Sequence, residues 1–114
     1  MPIQTNTQKN TLASAYGTAA AYGAVYTTAP GGSAGTEPSG GSPAYARKAL
    51  SWGAPSAGVV TVTVTFDIPA GTTIVGAGVH TAVTAGTYLD GASVTSQNFA
   101  TQGTYALTFT YTQT

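Results

Sequence analysis

Between Val60 and Ile68 the chain alternates without a slip. Val60, Val62, Val64, Phe66 and Ile68 stand at every second position, and Thr61, Thr63, Thr65 and Asp67 fill the gaps. Successive strand side chains point to opposite faces of a sheet, so this spacing makes an extended segment with one apolar and one hydroxyl-lined face. A helix would scatter the same residues around its circumference. The design recurs near the end of the chain, where Tyr105, Leu107, Phe109 and Tyr111 interleave with Ala106, Thr108, Thr110 and Thr112.

Two such segments need further strands to share a core. Residues 22–28 read as one, with Tyr22, Ala24 and Tyr26 on one side, and residues 44–52, 74–83, 87–89 and 93–99 as others. Gly71, Gly86, Gly91 and Gly103 punctuate them, and Pro69 closes the long central strand because it cannot donate to a ladder. Six to eight short strands with regularly spaced turns predict an all-β fold, a single antiparallel β-sandwich or jelly-roll-like domain over residues 20–114. Residues 1–19 read as an N-terminal arm with a short helix over 7–15. Thr5, Asn6 and Thr7 offer N-caps, Leu12 and Tyr16 share a face, and Gly17 is expected to end the helix.

Residues 29–43 hold five glycines and three prolines and little that can be buried, which marks a long surface loop.

Charge narrows the functional classes. The 114 residues include three Lys or Arg and three Asp or Glu, 5% of the chain against about 25% in an ordinary soluble protein. Zero net charge argues against a grip on nucleic acid or an anionic membrane, both of which need clustered Lys and Arg. No cysteine is present for a disulfide or a thiolate metal site. The start lacks the apolar core of a secretory signal, and no apolar run nears the roughly 20 residues of a membrane span. A polar but uncharged surface can pack against neighbours without burying charge, which suits a subunit of a large assembly present in many copies.

The chemical inventory is short. His80 with Asp67 or Asp90 could furnish a triad in principle, but no G-x-S-x-G elbow accompanies it. Three scattered acids lack EF-hand spacing, and the Gly-rich loop lacks the phosphate-loop lysine. The expectation is a protein with no catalytic residues, metal or cofactor. Arg47 and Lys48 are adjacent, so in a strand they face opposite ways. An arginine turned inward or towards a neighbour needs a carboxylate or carbonyls, and Glu37 and Asp67 are the evident acids, so Arg47 is expected to make a structural ion pair or an inter-subunit contact.

Glu37 opens a run, Glu37-Pro38-Ser39-Gly40-Gly41-Ser42-Pro43-Ala44-Tyr45-Ala46-Arg47-Lys48, followed shortly by Trp52. Phe66-Asp67-Ile68-Pro69-Ala70 and Gly78-Val79-His80-Thr81-Ala82 come later. Together these segments resemble a family of small virion proteins of tailed bacteriophages that infect actinobacteria, described as tail-fibre, minor tail or minor capsid proteins. The resemblance implies a non-enzymatic, β-rich structural protein, assembled in the host cytoplasm and carried on the particle exterior. Its partners would be the major capsid protein or tail proteins. The absence of heptads, collagen triplets and β-helix repeats favours a capsid decoration or minor capsid role over a fibre. Contacts are then expected from the N-terminal arm up to Asn10, with Pro2, Ile3, Gln4, Thr5 and Asn6 foremost, and from the Gly-rich loop over residues 31–43. Exposed strand edges unprotected by charge are expected to pair between copies, as in a homo-oligomer, and Glu37, Arg47 and Lys48 are further candidate contacts. The alternative, adhesion to a host glycan or receptor, would place Trp52, Tyr45 and Tyr88 as a stacking surface.

Overall fold

The computed structural model describes residues 3–114. One helix, α1 (Asn6–Ala19), precedes six strands: β1 (Tyr22–Tyr26), β2 (Lys48–Ala49), β3 (Val59–Ile68), β4 (Thr72–His80), β5 (Tyr88–Phe99) and β6 (Gly103–Thr112). The fold is all-β in its architecture, with two antiparallel sheets and the single short helix. One sheet has the order β2-β1-β4-β5 and the other pairs β3 with β6. The chain therefore crosses between sheets three times, into β3, back into β4, and out again into β6.

Both sheets contribute to the core. Val25, Ile74 and Ala77 from the larger sheet meet Phe66 and Ile68 from the smaller, with Leu107, Phe109 and Tyr105 packed around them. A second cluster joins Ala20, Leu50, Val62 and Val79. The alternation in β3 is realised as expected: Val60, Val62, Phe66 and Ile68 are buried while Thr61, Thr63 and Thr65 are exposed. In β6 every inward residue is only half-buried and every outward one is exposed. The smaller sheet thus covers its side of the core incompletely.

Several boundaries differ from the sequence reading, each for a local reason. The helix runs past Gly17 to Ala19 because Trp52 lies against that glycine. A Cβ there would stand 3.1 Å from the indole Cδ1, so the missing side chain is the packing surface. The indole Nε1 then donates to the Ala20 carbonyl at 2.9 Å and closes the helix end. Residues 44–52 contribute only the two-residue β2, because Arg47 turns aside to a loop. Gly91 does not break β5, because it pairs with Gly78 across the ladder and its N–H bonds the Asp90 side chain at 2.8 Å. Strand β4 stops at His80 where Thr81 and Thr87 bond each other across a tight turn, with Ala85 and Gly86 at positive φ.

The helix packs on the strands. Asn10 Oδ1 accepts from the Gly58 N–H at 2.8 Å, Ala13 is fully buried, and the Tyr16 ring stacks on Tyr111 at 3.8 Å. The stripe Ala13, Tyr16, Gly17 and Ala20 recurs at helical spacing and faces the strands.

Candidate functional site

The residues singled out by the sequence fall into distinct places. Glu37, Tyr45 and Arg47, all within the quoted motif, form one hydrogen-bonded cluster. Arg47 Nε donates to Glu37 Oε1 at 3.0 Å and its Nη2 to Oε2 at 2.8 Å, while Tyr45 donates its hydroxyl to Oε1 at 2.8 Å. Arg47 Nη1 bonds the carbonyls of Ala82 and Ala85 at 3.0 and 2.8 Å. One guanidinium therefore ties the long loop to the turn after β4, using the planar fork that a lysine lacks. Tyr45 also accepts from the Val25 N–H at 3.2 Å and stacks over Phe66, joining this cluster to the core.

Electrostatics follow from that geometry. Burial alone would raise the Glu37 carboxyl, but hydrogen bonds from Arg47 and Tyr45, with the Arg47 charge, outweigh it and hold the pKa below the ordinary carboxylate range. The carboxylate in turn holds Arg47 more firmly protonated. Tyr45 is pushed well above a free phenol, chiefly by burial. Of the two acids the sequence offers Arg47, it meets Glu37, and Lys48 meets Asp67 at 3.4 Å.

These two pairs take up four of the six charged side chains, leaving Lys9 and Asp90. Asp90 accepts from the Tyr16 hydroxyl at 3.3 Å. What remains of the exposed surface is largely uncharged, Ser and Thr mixed with Ala and Gly. Thr61 and Thr110 bring their Oγ1 atoms to 3.4 Å, and Thr63 and Thr108 to 2.8 Å, on the exposed outer face of the β3–β6 ladder.

His80 is 3% exposed, and its Nε2 shares a 2.6 Å hydrogen bond with the Tyr26 hydroxyl. Burial, and then the Arg47 charge, push its pKa below the ordinary imidazole value. Asp67 and Asp90 are engaged elsewhere, with Lys48 and Tyr16, so the structure does not assemble a triad from these residues. Among the described residues no three His, Asp or Glu gather at metal-binding distance.

Trp52, Tyr45 and Tyr88 are not brought together. Trp52 packs edge-on to Tyr16 and caps the helix, Tyr45 lies on Phe66, and Tyr88 sits beside Tyr26 and His80 with its hydroxyl on the Gly31 carbonyl. Each has a structural partner of its own, which the composition of the chain could not reveal. Of the N-terminal set, Ile3 is half-buried and Gln4, Thr5 and Asn6 are exposed. Thr5 caps the helix through its Oγ1, which accepts from the Gln8 N–H at 3.2 Å. Pro2 lies outside the described residues. The long loop is held at several points, including Thr27 N–H to the Thr36 carbonyl at 2.7 Å and Gln102 against Ser42 and Pro43.

A cleft of about 210 Å³ opens between the free edges of β5 and β6. Ala77, Gly78 and Val79 lie along it from β4, Val94 and Asp90 from β5, and four consecutive β6 residues, Leu107 to Thr110, form its other lip. Tyr16 and Trp52 close one end. Sequence reasoning missed this feature, because no residue pattern shows that a two-stranded sheet will leave its partner sheet partly uncovered. No known protein family matches the chain, and no curated protein sequence matches it. No helix among the described residues is long and apolar enough to cross a membrane.

Proposed function

We propose that this protein is a non-enzymatic structural subunit of a tailed bacteriophage particle, a decoration or minor capsid protein that docks on the shell as a small β-sandwich. The observation that supports the reading best is the internal pairing of Arg47 with Glu37 and Lys48 with Asp67. It leaves an almost uncharged, Thr-rich exterior, which can be buried between subunits without stranding ions. Binding only the assembled shell would stabilise that shell by mass action. The described core is small, with Tyr26, Phe66, Ile68, Ile74, Val25 and Val60 its largest fully buried side chains, as suits a domain that gains stability from neighbours.

The test is cryo-electron microscopy of purified virions in which mass spectrometry identifies the chain. Density at regular sites on the head supports the reading, and its absence from the particle overturns it. Density at the tail alone would favour the second reading, a minor tail or fibre protein in host adhesion. One observation speaks for that: Tyr16, Trp52 and Asp90 share a cleft, an aromatic wall and a carboxylate such as sugar rings meet.

A further inference from the structure

The outer edge of β6 has a specific hydrogen-bonding parity. Gln113 N–H donates to the Gly58 carbonyl at 2.8 Å, directly below the pair Val59–Thr112. In an antiparallel ladder bonded and non-bonded pairs alternate, so Val60–Tyr111, Val62–Phe109, Val64–Leu107 and Phe66–Tyr105 are the bonded ones. The intervening residues must turn their N–H and C=O groups outward. On β3 they do: Gly53 donates to the Thr61 carbonyl at 3.2 Å, and Val59 exchanges bonds with Ser56. That edge is thereby partly covered. On β6 the outward residues are Thr104, Ala106, Thr108, Thr110 and Thr112, and among the described residues their backbone groups take no partner. Buried backbone groups are paired almost without exception, so a polar edge beside an apolar cleft is a ready template for another strand.

Natural edges are guarded by charge or proline, and β6 has neither. It is instead complementary to itself. Thr108 is the middle of the five outward residues, so a two-fold axis through it aligns every outward group with another. Thr108 faces Thr108 of the second copy, Ala106 faces Thr110, and Thr104 faces Thr112. The intervening pairs then match on the inner face, Leu107 with Phe109 and Tyr105 with Tyr111, aromatic and aliphatic side chains that are half-buried in the single chain. Any shift of the axis along the strand leaves outward groups unpaired, and a one-residue slip would set threonines against the apolar face. We propose that two copies of this chain associate through β6, antiparallel about a two-fold axis at Thr108, forming a continuous β3-β6-β6-β3 sheet with one Thr-lined face. The second copy is the occupant because the register is self-complementary in both bonding parity and side-chain face. The pairing does not depend on the virion reading.

The purified full chain should sediment as a dimer at micromolar concentrations. Because the chain has no cysteine, a single introduced thiol reports the register. The Cα atoms of a bonded pair lie about 5.5 Å apart, within disulfide reach. Thr108→Cys should therefore cross-link to itself. Thr104→Cys alone should not, its two copies lying roughly 26 Å apart at about 3.3 Å per residue. A mixture of Thr104→Cys and Thr112→Cys chains should cross-link to each other. Thr108→Pro removes an outward N–H that β3 does not use, so the fold should persist while dimerisation weakens about tenfold or more. Should that variant fail to fold, Thr108→Lys places a charge on the same edge. A monomeric wild type, self-cross-linking of Thr104→Cys as ready as that of Thr108→Cys, or unchanged dimerisation of a folded edge variant would each overturn the proposal.

Discussion

Arg47 is the residue on which most of the irregular chain depends. It joins Glu37 in the long loop to Ala82 and Ala85 in the turn after β4, and its side chain is only 12% exposed. Replacing it with alanine strands the Glu37 carboxylate and frees two carbonyls, which should cost about 2–4 kcal/mol in a denaturant titration. Arg47→Lys should recover little, since an ammonium cannot serve the carboxylate and both carbonyls in one plane. Unchanged stability of Arg47→Ala would show that the cluster is ornamental. His80 sets a second expectation, in pH. Its pKa is lowered in the folded chain, so below its ordinary value of 6.5 the unfolded chain binds the proton and the folded chain does not. Stability should be full above that value and fall as pH drops through the window beneath it. Glu37, whose pKa is also lowered, adds a second loss below 4.5. Melting temperatures measured against pH should show both steps, and His80→Gln should abolish the upper one.

Among the elements, the helix takes its C-terminal contact from a side chain outside it. Trp52 fills the surface left open by Gly17 and bonds the Ala20 carbonyl. Trp52→Ala should loosen α1 from the strands at a cost of about 2–4 kcal/mol, seen as lost helical circular dichroism and protease cleavage within residues 6–19. Trp52→Phe keeps the packing but loses the hydrogen bond, and should cost about 1 kcal/mol. This element also shows where sequence reasoning stops. The strands β3 and β6 were legible almost residue by residue, because a period of two is a local signal that burial obeys. The partner of Arg47 was legible only as one of two acids, Glu37 or Asp67, since a chain with three acids offers few choices. Which of them it meets, and that Lys48 takes the other, is set by the path of the loop. Helix length and the single strand through Gly91 were not legible. Both depend on what approaches a glycine in space, Trp52 in one case and the β4 backbone in the other. The aromatic residues were misplaced for the same reason: composition counts rings but does not reveal the neighbour each one finds.

At the scale of the whole molecule, the principal extents of 48 × 25 × 24 Å describe an elongated body with the edge strands β5 and β6 flanking one cleft. The proposed docking role, with its N-terminal contact, can be tested on the residues before the helix cap. Deleting residues 2–4 should leave the melting temperature within a few degrees, because Thr5 still caps the helix, while lowering incorporation into particles measured by quantitative mass spectrometry. Full incorporation would assign docking to the sheet faces instead. The internal pairing of charge has a kinetic corollary. Two proteins that attract through opposite fields meet fast at low salt and more slowly as ions screen them. With zero net charge and four of six charges paired within the chain, the docking proposed above should proceed at an unsteered rate, on the order of 10⁵–10⁶ M⁻¹s⁻¹. That rate should stay nearly flat from dilute buffer to molar salt. Once seated, the subunit should be as hard to strip with salt as it was indifferent to salt on arrival.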